Sequence, residues 1–240
     1  MSDHPMPLSE HLRELRNRLI VYLLFLVPVS IYAFTQARRL VDFLLLPTEG
    51  KITHLILMSP GEALYTFIEA AFAAGFIATS PVLIYEIAAF ISPALAPAER
   101  RRLFGYMPIV LILFLMGVSF GYFAFLPVVL HFLLEFATAP FDPLFSLGRY
   151  IGFVVSLTLP FGVVFELPIA VYALAITGVL EPGFLRRQRR IAILAIFIVA
   201  GAITPPDAFS MLLMVAPMLV LYEVSIIVAD FAVRRRKPMV

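Results

Sequence analysis

The chain contains no cysteine and no tryptophan, and only 14% of its 240 residues are charged. Without cysteine there is neither a disulfide framework nor a thiolate metal site. The four histidines, His4, His11, His54 and His131, stand apart with no H-E-x-x-H spacing, so no metal centre or other cofactor is expected. Nothing matches G-x-x-x-x-G-K-[ST], which excludes nucleotide hydrolysis through a P-loop. No nucleophile–base set is visible, so the chain is not read as an enzyme. Its two halves do not repeat each other, which weakens a secondary-transporter reading.

What is present is apolar surface. Hydrophobic residues make up 62% of the chain, against roughly 45–50% for a soluble domain, and the mean hydropathy is +0.99. Such a chain cannot cover itself with polar residues, so its apolar stretches must face lipid. A span needs about 20 mostly apolar residues. Six candidates emerge, at 19–36, 64–91, 106–136, 149–177, 191–204 and 208–231. Residues 8–18 read as an amphipathic helix with Ser9 at its N-cap. The first 18 residues carry Asp3, Glu10, Glu14 and three arginines without an apolar run, so no cleaved leader is expected.

The pI near 9.0 raises the question of nucleic acid. The placement of the basic residues answers it. Fourteen of the 18 lysines and arginines fall before span 1, between spans 2 and 3, between spans 4 and 5, or after span 6. Only Arg38, Arg39, Lys51 and Arg149 fall in the alternate connections. By the positive-inside rule the first set is cytoplasmic, so the charge reports topology rather than a nucleic-acid partner. The expected fold is an all-α polytopic membrane protein of one embedded domain, 1–240. It has six transmembrane helices, the fifth and sixth short, and both termini cytoplasmic in the cell's inner (plasma) membrane. The first outer loop, 37–63, carries Pro47 and apolar stretches at Leu40–Leu46 and Leu55–Met58, which predicts a packed cap. The last outer connection is Thr204-Pro205-Pro206-Asp207, with Asp207 placed to cap the next helix.

Glu166 is the most informative single residue. It lies well inside span 4, flanked by Pro160 and Pro168, which should kink the helix. An intramembrane carboxylate must face protein or water, and function is its default reading. Glu69 and Glu86 in span 2 are further carboxylates at or near membrane depth. Together the three open an alternative, a proton- or ion-coupled small-molecule carrier. On spacing alone, Glu14 pairs with Arg18 at i,i+4, and Glu99, ahead of three arginines, is a solvated loop charge.

A set of ordered segments changes that balance. They are His11-Leu12-Arg13-Glu14-Leu15-Arg16-Asn17-Arg18-Leu19, Ser80-Pro81-Val82-Leu83-Ile84-Tyr85, Phe90-Ile91-Ser92-Pro93-Ala94-Leu95, Glu99-Arg100-Arg101, Phe165-Glu166-Leu167-Pro168 and Thr204-Pro205-Pro206-Asp207. Each is weak alone. In this order, on a six-span frame, the chain resembles TatC, the multispan core subunit of the twin-arginine protein translocase. The resemblance implies proton-motive-force-driven export of folded proteins, with twin-arginine signal peptides received at Glu14 and Glu99, and with Arg16 and Leu95 beside them. A guanidinium pairs with a carboxylate strongly and with geometric selectivity. It further implies a membrane groove holding Glu166, and an outer rim at Pro47, Thr204 and Asp207 where partners dock. The implied partners are TatA- and TatB-like single-span proteins and further copies of the chain itself. Three positions depart from the family pattern: Glu69 is often basic in relatives, Glu86 often Gln, and Met211 commonly polar.

Overall fold

A computed structural model describes residues 8–48, 55–95, 97–138, 144–178, 180, 182–204 and 208–236. They form α1 (Leu8–Thr35), α2 (Ala37–Leu45), β1 (Leu55–Ile56), α3 (Glu62–Ala78), α4 (Ser80–Ile91), α5 (Pro97–Ser119), α6 (Leu126–Thr138), β2 (Phe145–Ser146), α7 (Leu147–Val164), α8 (Leu167–Thr177), α9 (Pro182–Arg187), α10 (Arg189–Ile203) and α11 (Ala208–Arg236). By length and composition, four stretches among the described residues can cross a bilayer: Glu10–Thr35, Glu99–Glu135, Leu147–Ile176 and Ala208–Val233. The pair α3–α4 makes a fifth if its 57° bend is one broken span. The remaining sixth candidate, α10, has 15 residues, about 22 Å at 1.5 Å per residue.

Several boundaries differ from those expected. The amphipathic segment and the first span are one helix, α1, and Ser9 lies inside it rather than at its N-cap. The sixth span is not short: α11 runs for 29 residues. The second span bends at Thr79. Pro81 has no N–H for the Ile77 carbonyl, and the chain restarts as α4 with proline in its first turn. Thr79 fills the gap, its hydroxyl donating to the Gly75 carbonyl at 2.8 Å and lying 3.3 Å from the Tyr22 hydroxyl. Pro168 acts likewise between α7 and α8, where Glu166 N–H turns back to the Val163 carbonyl at 3.1 Å. Pro160 stays inside α7 without breaking it.

Inside lipid, apolar tails compete for helix surfaces as well as other helices do, so association relies on close packing. The centre of the bundle meets that need. Leu126 and Val129 of α6, Ile151, Val154, Leu157 and Phe161 of α7, and Met214 of α11 have no exposed surface. Glycine brings α5 onto α7. A Cβ on Gly162 would stand 2.6 Å from Phe114, and one on Gly117 only 2.3 Å from the Phe161 carbonyl oxygen. Gly117-Val118-Ser119-Phe120-Gly121 does spell G-x-S-x-G. It sits where α5 runs into a π-helical turn (Phe120–Phe125), not at a strand–helix elbow, so its glycines serve packing rather than a nucleophile. A second cluster joins α8 to α11 through Ala175, Ala229 and Ala232. Gly178, at φ 80°, ends α8 in the left-handed conformation that glycine adopts freely.

Part of the expected cap is described, with α2 packed on α3 and α7, while 49–54 lie outside the described residues. α2 lies along one end of the bundle, and two tyrosines hold its last carbonyls. Tyr122 donates to Phe43 O, and Tyr150 donates to Leu44 O at 3.0 Å. β1 and β2 pair in parallel, Leu55 opposite Phe145 and Ile56 opposite Ser146. Glu62 locks this pair, accepting from Ser146 Oγ, Gly148 N–H and Met58 N–H. Replacing both Tyr122 and Tyr150 by phenylalanine removes two hydrogen bonds, a loss of about 2 kcal/mol at roughly 1 kcal/mol each. A lower melting temperature of the purified double variant in detergent checks this, and an unchanged melt means the cap is held by other contacts.

Candidate functional site

The end of the bundle opposite the cap gathers the arginines of α1, α5, α9 and α10, while Arg38 and Arg39 of α2 and Arg149 of α7 lie at the cap end. Tyr106 and Tyr172 meet hydroxyl to hydroxyl at 3.3 Å, tying α5 to α8. Arg186 pairs with Asp230, Arg189 with Glu223 at 2.7 Å, and Tyr222 donates to Leu185 O at 2.7 Å, so α9 and α10 are stapled to α11.

At this end α1 and α5 both pack against α4. The first turns of α1 reach α4 through His11, whose ring stacks on Phe90 at 4.3 Å. One turn on, Glu14 Oε1 accepts from Arg18 Nε at 3.0 Å and from Nη2 at 2.6 Å. The same guanidinium extends Nη1 to Glu86 Oε2 on α4 at 3.2 Å. None of the three side chains is more than about a quarter exposed, Arg18 at 26%, Glu14 at 22% and Glu86 at 12%. The i,i+4 pair is therefore real but is half of a three-member cluster. The long-range half, 68 residues apart, was not visible in the sequence; only the family departure at Glu86 pointed there.

α4 continues through a short 3-10 turn, Ser92–Ala94, in which Ser92 Oγ donates to Ala89 O at 3.0 Å. Leu95 follows, half-buried, and Glu99 stands in the first turn of α5, where a helix end favours a negative charge. Glu14 thus reaches α4 through Arg18 and Glu86, and Glu99 follows α4 along the chain by way of the turn. Arg13, Arg16 and Arg100–Arg102 are exposed around them. A surface so basic repels a cationic peptide at long range.

Glu166 occupies the α7–α8 break with both carboxyl oxygens buried and no side-chain hydrogen-bond partner among the described residues, the backbone of Phe114 on α5 lying against it. Glu69 lies against α7, where a Cβ on Gly152 would be 3.3 Å from its Oε1. A cavity of about 410 Å³ opens between α3, α7 and α10, lined by Phe72, Phe76, Leu159, Pro160, Val163, Val164, Val199 and Ile203. None of the three membrane glutamates lines it, and Glu86 is already engaged by Arg18, so the carrier alternative gains nothing from the geometry. At the cap end, Pro47 sits half-buried in the 3-10 turn Leu46–Thr48, against which α6 packs. Thr204 is buried and donates to Ala200 O at 2.9 Å as it ends α10. Met211 stands beside Gly201, holding α10 close to α11. Asp207 and its expected capping role lie outside the described residues.

Residues 10–217 match the family profile for the Sec-independent protein translocase protein (TatC). The chain is 39% identical over 232 residues to the TatC of Carboxydothermus hydrogenoformans, covering 96% of each chain. It is 40% identical over 239 residues to that of Aquifex aeolicus, covering 97% of this chain and 98% of the relative. A crystal structure of the twin arginine translocase receptor TatC superposes with a TM-score of 0.84 at 38% identity, covering 92% of this chain and 99% of the other. The same receptor crystallised in DDM gives a TM-score of 0.83 at 38% identity, with coverages of 90% and 98%. The chain belongs to the TatC family and is a membrane component of a Sec-independent protein translocase.

Proposed function

We propose that this chain is the subunit that receives twin-arginine signal peptides, with Glu14 and Glu99 as guanidinium acceptors and Arg16 and Leu95 at the margins of the site. The observation that carries the reading is the state of Glu14. Its Oε1 already holds a guanidinium through two donors, Nε and Nη2 of Arg18, so this carboxylate is placed to accept a planar guanidinium, whose fixed donor geometry an ammonium lacks. In this reading α10 is the sixth span of a single embedded domain, and its shortness thins the bilayer locally. The arginine-rich end faces the cytoplasm of the inner membrane, with both termini there. TatA- and TatB-like single-span partners dock along α10 and α11, near Thr204 and Asp207 at the rim by Pro47, and several copies assemble. As the family resemblance implies, and as the absence of a P-loop motif permits, the proton-motive force drives export of the folded cargo.

Two experiments test this. Co-purification from membranes followed by crosslinking with a twin-arginine precursor should capture the Arg-Arg form, and a Lys-Lys form only weakly. Equal capture of both removes the receptor role. Separately, Glu166→Ala should cut transport at least tenfold while leaving accumulation within about twofold, since the carboxyl has no side-chain partner among the described residues to leave unpaired. Undiminished transport gives Glu166 no essential part.

A further inference from the structure

Arg18 raises a problem for the site just proposed, because the carboxylate that should take the peptide's arginine is occupied. The cluster also contains its own solution. Two carboxylates and one guanidinium leave a formal charge of −1 in a setting that is at most about a quarter exposed. An unbalanced charge with little solvent is unfavourable, and one further guanidinium neutralises it. Arg18 already spans both acids, with Nε and Nη2 on Glu14 and Nη1 on Glu86. Moving it wholly onto Glu86 needs rotation about its own side chain and no movement of α1 against α4. The His11–Phe90 stack holds those helices together one turn away from the cluster.

We infer that Arg18 is a resident guanidinium that pairs with Glu14 and passes to Glu86 when a signal-peptide arginine arrives. The inference rests on the receptor reading and adds a displacement step to it. Glu86 is then a positioning residue, acting on the peptide only through Arg18. An incoming lysine is disfavoured twice, because it pairs with Glu14 at a single point and displaces a guanidinium bound through two donors.

The test uses the full chain in lipid nanodiscs, labelled with 15N-arginine, and synthetic signal peptides carrying Arg-Arg or Lys-Lys. The Arg18 Nε signal is assigned by its loss in Arg18→Lys. It should shift on saturation with the Arg-Arg peptide and stay put with Lys-Lys. In parallel, Glu86→Gln should weaken Arg-Arg binding about tenfold, because Arg18 then has only Glu14. Adding Arg18→Gln should recover most of that loss. If the wild-type chain binds the two peptides equally, the receptor reading falls and displacement falls with it. If it prefers Arg-Arg but the Arg18 signal does not move, the receptor reading stands and displacement is overturned. Displacement is equally overturned if Glu86→Gln binds as wild type. Should Glu86→Gln fail to accumulate, the wild-type titration decides the matter.

Discussion

Replacing Glu14 and Glu99 together by lysine should abolish crosslinking of an Arg-Arg signal peptide while the protein still accumulates in the membrane. Each carboxylate offers a charge-assisted hydrogen bond worth about 1.5–3 kcal/mol, and losing two costs roughly 10²- to 10⁴-fold in affinity. Lysine at both positions also adds repulsion to an end where Arg13, Arg16 and Arg100–Arg102 are already exposed. The single changes should be unequal. Lysine at position 14 meets Arg18 directly and strands it on Glu86, so a fold defect has to be separated from a binding defect by the accumulation and melting of each variant. Glu99 belongs to the first turn of α5, and Glu99→Gln there tests binding with little disturbance of the fold. Undiminished crosslinking of the double variant at normal protein levels would remove both residues from the site.

The largest stability effect is expected at Gly117. An added Cβ would stand 2.3 Å from the Phe161 carbonyl oxygen, 2.8 Å from Phe165 Cβ and 2.9 Å from Gly162 Cα. Two of these are backbone atoms of α7, which cannot rotate aside as a side-chain tip can. Gly117→Ala must therefore push α5 off α7, at the upper end of the roughly 1–3 kcal/mol typical of overpacking. Gly105 on the same helix supplies the control, because nothing lies within 4 Å of its Cβ position. Gly105→Ala should be neutral or gain up to about 1 kcal/mol from helix propensity. Comparative melting of the two purified variants checks the pair; equal melts would mean that the α5–α7 crossing is looser than its geometry.

These two sites were legible to different degrees. Glu14 and Glu99 are marked by short motifs, since His11–Leu19 and Glu99-Arg100-Arg101 are local in sequence. So is the break beside Glu166, because Pro168 removes a known hydrogen bond. The bend at Thr79 had the same kind of signal in Pro81, but the continuous apolar run across 64–91 hid it. Apolar character follows the surface a helix meets and not the helix's direction. Tertiary pairing was the least visible. Nothing local says that Arg18 reaches Glu86, or that Gly117 faces Gly162, because both depend on the register of packed helices. The length of α11 was underestimated because its last turns are charged and leave the apolar window while remaining helical.

The receptor reading is tested most directly by equilibrium titration of the purified full chain in nanodiscs with Arg-Arg and Lys-Lys signal peptides. Arg-Arg should bind at least tenfold more tightly, and that preference should vanish in the Glu14→Lys, Glu99→Lys double variant. Equal affinity for the two peptides, or a preference that survives in the double variant, would contradict recognition at these carboxylates.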